Sequence, residues 1–456
     1  MSYHRPLAVP AVLALVLIAG GCRGEGSAHA RTYDKPDPAE GKVRPFELAR
    51  PDAVLLLSGG TNGKMELCNC SGPMPGGLAR RSGLIRSYRA RYDGAIAIDV
   101  GDAFWIQPES VRNDYVMRGL AMVGYDVVCL GDQEWAARPA RLANILHEAD
   151  LTPLSTTVRD TSDANIPLRR EATFQRGDAT ITVLSNLQRD WLLFFPQDRL
   201  GEMTFVSMEQ LAARTKRLKA MGHCVIIVAH GDDTAADATA ETCKPDLIVR
   251  GHTTRTAKEP RTHAGVPILK VGHPEMVSAL ALKLSDVGRI EGMEFRVEIV
   301  TEDWPMDFRL IQLYQAFVHV ALRNELDHAR KIDLEYVSPE TCASCHPGEY
   351  ASWKKTPHSR GYASIQAVDR SDDADCLKCH TTGHGRDGGF VSMAQTPQQG
   401  SVTCQACHRV NLADHKANPA QVPPADGATC GLCHTPISSP GFSADKAIKS
   451  GQGIHE

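Results

Sequence analysis

Apolar runs recur at short intervals along the first part of the chain: Ala53-Val54-Leu55-Leu56-Leu57, Ala95-Ile96-Ala97-Ile98, Val127-Val128-Cys129-Leu130, Ile181-Thr182-Val183-Leu184, Val225-Ile226-Ile227-Val228, Leu247-Ile248-Val249 and Ile268-Leu269-Lys270-Val271. Continuous runs of this length suit strands buried on both faces. Helical stretches such as 207–221 lie between several of them. The alternation predicts an α/β domain over 51–305. A helix carrying Phe308, Leu310, Tyr314, Phe317 and Leu322 follows, and 306–337 reads as the connection. Beyond Ser338-Pro339 the pattern stops. Residues 338–456 have no long apolar run and are dense in Gly, Pro, His and Cys. A small, mostly α-helical or irregular segment is expected there, with its core supplied by something other than side chains.

The N-terminus carries a targeting pattern. His4 and Arg5 precede the apolar stretch Leu7 to Ile18, which ends in Ala19-Gly20-Gly21-Cys22. The stretch is too short to span a bilayer, so 1–22 reads as a signal peptide. A Cys directly after small residues looks like a lipoprotein cleavage box, with Cys22 as the lipidated residue and several acyl chains making a stable membrane anchor. The alternative is ordinary secretion with Cys22 incidental. Arg23, rather than Asp, resembles outer-membrane sorting, which places the protein on the periplasmic side of the envelope. Residues 23–50, rich in Gly, Pro and charge, read as a linker. A length of 456 residues suits two or three domains, and a net charge of -4 argues against a nucleic-acid partner.

Eight of the fourteen cysteines fall in four repeats: Cys342-Ala343-Ser344-Cys345-His346, Cys376-Leu377-Lys378-Cys379-His380, Cys404-Gln405-Ala406-Cys407-His408 and Cys430-Gly431-Leu432-Cys433-His434. C-x-x-C-H is the attachment signal of c-type haem. Two thiols on one helical turn reach the two vinyl groups on one porphyrin edge, and the next residue, His, stands beneath the iron. Zinc held by Cys pairs is the competing reading, but zinc needs no invariable His after each pair. Four further His lie beyond residue 340, namely His358, His384, His415 and His455, and are candidate sixth ligands. The segment resembles the cytochrome c-554 family of tetrahaem proteins. The matching phrases are Trp353-Lys354-Lys355-Thr356-Pro357-His358, Cys379-His380-Thr381-Thr382-Gly383-His384, Cys404 to His408 leading to His415, and Cys433-His434-Thr435-Pro436 with Phe442 leading to His455. The resemblance implies four haem c groups and electron exchange with redox partner proteins. Four candidate ligands for four irons suggest bis-His, low-spin iron with no open position. Loss of His455, which is next to last, would open one iron to a small molecule.

In open α/β sheets ligands gather at the carboxyl ends of strands. Those ends carry Asp99-Val100-Gly101-Asp102, Gly131-Asp132-Gln133-Glu134, Ala229-His230-Gly231-Asp232, Arg250-Gly251-His252-Thr253-Thr254 and Gly272-His273. Single residues of this kind cap strands; Asp102, His230 and His252 together suggest a metal site. Order and phrasing resemble the 5′-nucleotidase-type metallophosphoesterases, with a layered α/β fold. Gly76-Gly77-Leu78-Ala79-Arg80 and Gly101-Asp102 match that family. Its G-N-H-E has become Gly131-Asp132-Gln133-Glu134, its D-x-H is absent from Ser58-Gly59-Gly60-Thr61-Asn62-Gly63, and its final His is Thr254. Carried over, the resemblance leaves one divalent metal ion on Asp102, Asp132, His230 and His252 and removes the other. Gln133 cannot protonate a leaving group, and two-metal hydrolysis needs both ions. The chain is therefore expected to be an electron carrier without nucleotidase turnover. The competing expectations are an active phosphoester hydrolase fused to a cytochrome, and an oxidoreductase acting on a small inorganic species. Cys68 and Cys70 are the redox candidates for the latter: one residue apart, they suit a soft metal or a labile disulfide, or are unrelated loop thiols. Cys129 and Cys224 read as core thiols, and Cys243 carries no pattern.

Overall fold

The computed structural model describes residues 43–66, 75–421, 425–435, 438–439 and 441–449. Cys22, Cys68, Cys70 and His455 lie outside the described residues, as do the expected signal peptide and most of the linker. Among the described residues no helix is long and apolar enough to cross a membrane.

Each apolar run forms a strand, and alternate residues along it face two different cores. Leu55 and Leu57 of the strand Ala53–Ser58 join one buried cluster, while Val54 and Leu56 join another. Burial on both faces follows from a four-layer arrangement of helices, sheet, sheet and helices. The first sheet has the order Ile290–Ile299, Met276–Leu284, Ala53–Ser58, Ile96–Asp99, Val127–Val128. The second has the order Arg261–His263, Val266–Lys270, Leu247–Arg250, His223–His230, Ala179–Leu187, Ala172–Arg176. Leu55, Ile96 and Ile98 from the first sheet share a core with Val183, Ile226, Val228 and Val249 from the second. Outside the first sheet, the helices Leu78–Arg91, Arg112–Val123, Pro139–Glu148 and Phe308–Asp327 bury Leu84, Ile85, Leu120, Ile145 and Phe317. Outside the second, Met208–Ala220 and Asp233–Cys243 cover Val225, Ile227 and Ile248.

The strands that matter for the site are parallel and in register. Ser58 pairs with Asp99 and Asp99 with Val128, while Ala229 pairs with Arg250. Their carboxyl ends therefore emerge side by side. Beyond Ser338 the chain forms short helices separated by turns, and among the described residues its buried apolar cluster is Ile365, Leu377 and Phe390.

Candidate metal centre and haem attachment sites

Four side chains meet at these carboxyl ends. Asp102 follows the strand Ile96–Asp99, Asp132 opens the short helix Asp132–Trp135, His230 closes His223–His230, and His252 follows Leu247–Arg250. One ligand atom from each lies within 4.8 Å of all the others. His230 Nε2 is 3.0 Å from Asp132 Oδ1 and 3.5 Å from Asp102 Oδ1. His252 Nδ1 is 3.2 Å from Asp102 Oδ2 and 3.4 Å from Asp132 Oδ1. Hydrogen bonds to Asp102 and then Asp132 push the His252 imidazole up to about 10. Burial works against ionisation of Asp132, but its hydrogen bonds with His230 and His252 hold the carboxyl well below the usual range. The cluster thus gathers a proton where its two carboxylates converge. A divalent cation would bring positive charge to the same point, and Asp102 Oδ1 and His230 Nδ1, both buried and without a hydrogen bond, leave one atom for the ion and one for an outer partner. The residues present fit a metal ion.

The backbone is bent to make this cluster. Asp102 and His252 both sit in the left-handed region, at φ 58° and 51°, which non-glycine residues visit mainly at functional sites. Glu134 holds the turn: its carboxylate accepts from the amides of Gly131 at 2.7 Å, Ala103 at 2.7 Å and Phe104 at 2.8 Å. Gly131 is required sterically, since a Cβ there would lie 2.3 Å from Asp102 Oδ1 and 2.5 Å from His230 Cε1. Gly131→Ala is expected to push these ligands apart and to weaken metal binding by about 10- to 100-fold, the usual penalty for losing ligand orientation. Metal titration followed by calorimetry, with wild-type affinity as the outcome that refutes it, provides the check.

The other strand-end residues do not join the cluster. Asp232 caps the helix Asp233–Cys243 by accepting from the Ala235 amide. His273 Nδ1 is 3.9 Å from Glu275 Oε2. Gln133 donates to Asn62 Oδ1 at 2.8 Å, so two neutral amides stand where the loop Ser58 to Gly63 approaches. Cys129 and Cys224 are core thiols pushed up by burial. Cys243 is buried too, packed with Leu211 and Leu218. One feature of the site was not foreseen from sequence. The segment Trp191 to Phe195 covers it: Trp191 packs edge-on against His252 at 6.0 Å, and the Phe194 amide donates to Asp132 Oδ2 at 3.2 Å. The only pattern that could have pointed to it is an unbroken apolar stretch too short and too isolated to place.

Each of the four haem motifs begins on a helical turn. The helix Ala374–His380 contains Cys376, Cys379 and His380, and the turn Cys404–Cys407 contains the third pair. In the other two motifs the helix ends between the cysteines. The His amide donates to the carbonyl of the first Cys in three of them: His346 to Cys342, His408 to Cys404 and His434 to Cys430. That turn places the imidazole beside its two thiols. The described residues pair two motif His with candidate sixth ligands. His346 and His415 stack at 22° with their Nε2 atoms 3.5 Å apart, close to the roughly 4 Å that two metal–imidazole bonds of about 2 Å span. His434 and His358 meet edge-on with centroids 6.0 Å apart. His384 is buried; its Nδ1 bonds the Phe390 carbonyl, and its Nε2, which makes no hydrogen bond, lies 3.5 Å from Glu325 Oε2. His380 Nδ1 likewise faces the Gly361 carbonyl at 3.2 Å. Fixing Nδ1 in this way frees Nε2 for a metal. The motif thiols are unbridged. The Cys342 thiol neighbours that of Cys404, Cys379 that of Cys433, and Cys407 that of Cys430. These features fit covalently attached haem, which supplies one-electron chemistry when bound.

The second motif is fastened to the rest of the molecule. Asp375, beside Cys376, pairs with Arg112 at 2.6 Å. The Arg112 guanidinium lies over Trp105 and Phe317, at 5.3 and 4.8 Å. Asp373, which caps this haem helix, accepts from Tyr314 Oη at 2.5 Å, and Lys378 pairs with Glu325 at 2.5 Å. The helix Phe308–Asp327 therefore joins the two parts by side-chain contacts as well as by chain connection.

Residues 341–409 match the family model for cytochrome c554 and c-prime. Cytochrome c-554 of Nitrosomonas europaea is 30% identical over 91 residues, 17% of this chain. The chain spans 39% of the length of that curated relative. In fold, the chain is similar to the sulfate thiohydrolase SoxB of Thermus thermophilus, with a TM-score of 0.53, 19% identity, and coverage of 67% of this chain and 69% of the other. It is also similar to a putative 5′-nucleotidase of Staphylococcus aureus, with a TM-score of 0.50, 16% identity, and coverage of 70% and 66%. The match to the cytochrome c554 and c-prime model thus lies within the segment that carries the C-x-x-C-H repeats, and the α/β part before it shares its fold with the SoxB and 5′-nucleotidase structures.

Proposed function

We propose that this protein is an exported, lipid-anchored electron carrier with four haem c groups. In this reading Cys22 is the lipidated residue, and the protein faces the periplasm from the outer membrane. The observation that carries the reading is the set of four C-x-x-C-H repeats, two of whose His already face a second His. His384 and His455 are left for the second and third haems. The thiol neighbours Cys342/Cys404, Cys407/Cys430 and Cys379/Cys433 support a path that runs from the first haem to the third, the fourth and then the second. The α/β domain holds one divalent metal on Asp102, Asp132, His230 and His252 and does not turn over phosphoesters, because Gln133 and Asn62 offer no titratable group where hydrolysis needs one.

A second reading is that electrons pass between the α/β domain and the second haem, with a small inorganic species as substrate near Cys68 and Cys70. The Arg112–Asp375 and Tyr314–Asp373 contacts favour it, since they dock that haem's helix on the α/β domain. One set of measurements on the purified holoprotein separates the readings. A pyridine haemochrome assay is expected to count four haems per chain. EPR is expected to show low-spin iron, and p-nitrophenyl phosphate with added Mn²⁺ is expected to give no turnover. Turnover abolished by Asp102→Ala would overturn the carrier reading in favour of a hydrolase. Haem reduction on adding sulfite or hydroxylamine, lost in Cys68→Ser, would favour the second reading.

A further inference from the structure

Three arginines of the haem segment converge on one hollow. Arg330, Arg386 and Arg409 line a cavity of about 240 Å³ with Ile332, Leu334 and Asp333. Arg330 and Arg386 are partners in an isolated parallel β-bridge, held by Arg330 N to Gly385 O at 2.9 Å and Asp387 N to Arg330 O at 3.0 Å. Like charges set opposite one another are destabilising, and these two are fixed there by backbone hydrogen bonds. Among the described residues none of the three guanidiniums pairs with a carboxylate, whereas Arg112, Arg141, Arg214 and Arg250 each do. Ile332 and Leu334 give the hollow an apolar wall, and Asp333 is the one carboxylate among its lining residues. Arg386 is two residues beyond His384, and Arg409 follows His408 directly. The hollow therefore opens beside the third haem motif.

We propose that Arg330, Arg386 and Arg409 form an anion site that takes carboxylate or dianionic oxyanion groups. Guanidiniums bind such groups bidentately, and several around one hollow suit a paired or doubly charged ligand. Two sources supply that chemistry: the propionates of a neighbouring haem, whose apolar body would rest on Ile332 and Leu334, or a free dianion such as phosphate. The site's charge favours the reduced haem in either case, because a positive neighbour stabilises the added electron.

The test is spectroelectrochemistry of the full-length holoprotein, with haem content measured first so that loss of haem is read separately from loss of the site. The variants are Arg330→Gln/Arg386→Gln and the charge-keeping Arg330→Lys/Arg386→Lys. If propionates occupy the site, the Gln variant shows one haem shifted to lower potential in phosphate-free buffer, the Lys variant recovers most of the shift, and added phosphate changes nothing. If a free dianion occupies it, inorganic phosphate lowers one potential of the wild type saturably, and the Gln variant does not respond. Identical potentials and identical phosphate responses in wild type and Gln variant overturn the proposal. So does a Gln variant that keeps its haems while the Lys variant behaves no more like wild type than it does.

Discussion

Chains produced without haem attachment are expected to lose the fold of the C-terminal segment while keeping that of the α/β domain. The reason is the distribution of buried apolar surface. Among the described residues after Ser338 the large buried apolar side chains are Ile365, Leu377, Phe390 and the separate Trp353, each contributing roughly 1.5–3 kcal/mol on burial. Ordering the backbone costs roughly 1–2 kcal/mol for every residue, so those side chains cannot hold the segment by themselves. The porphyrins are the missing apolar surface, and their thioether bonds also tether the short helices that carry Cys342, Cys376, Cys404 and Cys430. The α/β domain has no such dependence, because Leu55, Ile96, Val183, Ile226 and their neighbours already fill its core. Limited proteolysis of the full-length apo-chain should cut rapidly beyond residue 338 and leave a resistant fragment ending near 305–337, whereas the holoprotein resists throughout. Equal resistance of the apo- and holo-segments would show that protein contacts alone suffice and would remove the argument.

That asymmetry was legible in the sequence, and so was the meeting of four candidate ligands, for the same physical reason. Apolar runs mark strands buried on both faces, and their carboxyl ends mark where Asp102, Asp132, His230 and His252 meet. Six of the described strands escaped because they lack such runs. Val158–Asp160, Met203–Phe205 and Arg261–His263 are only three residues long, Ala172–Arg176 and Ile290–Ile299 alternate with polar or charged residues at sheet edges, and Met276–Leu284 is interrupted by Ser278 and Lys283. Long-range pairs were beyond reach altogether. Nothing local connects Arg112 to Asp375, or Arg330 to Arg386 and Arg409; only the folded chain does. Arg81 is an intermediate case. Leu78, Arg81, Ile85 and Tyr88 share one stripe of the helix Leu78–Arg91, spaced as residues on one buried face are. Beside Arg80 it reads as one half of an ordinary basic pair, and only its phase on the helix sets it apart.

Arg81→Ala is expected to destabilise the α/β domain by about 3–5 kcal/mol, the usual consequence of breaking a buried charge pair from one side. Its side chain is 1% exposed. Nη1 donates to Thr61 Oγ1 at 3.0 Å and to Tyr125 Oη at 3.4 Å, and Nη2 donates to the Pro274 carbonyl at 2.8 Å. Asp99 Oδ2 lies 4.0 Å from Nη1, is fully buried, and has no hydrogen-bond partner. One guanidinium thus ties together the loop of Thr61, where the D-x-H ligands are missing, the turn of Pro274, and the strand that leads to Asp102. Burial pushes the Asp99 carboxyl up to about 7 even with Arg81 beside it. Without Arg81 the carboxyl resists ionisation further. An acid whose folded value is raised binds more protons in the folded than in the unfolded state, so stability falls as pH rises through that interval. At pH 5 Asp99 is protonated in both proteins and its charge adds nothing to the deficit. At pH 8 the wild type holds a paired carboxylate, whereas the variant either buries an unpaired one or keeps its proton against the solvent, and both cost stability. Urea unfolding should therefore show a larger deficit at pH 8 than at pH 5, and Arg81→Ala/Asp99→Asn should recover part of the loss at pH 8, with a coupling of about 0.5–3 kcal/mol. A deficit that is flat with pH and unchanged in the double variant would mean that Arg81 acts through its packing and its bonds to Thr61 and Pro274, with its charge contributing nothing.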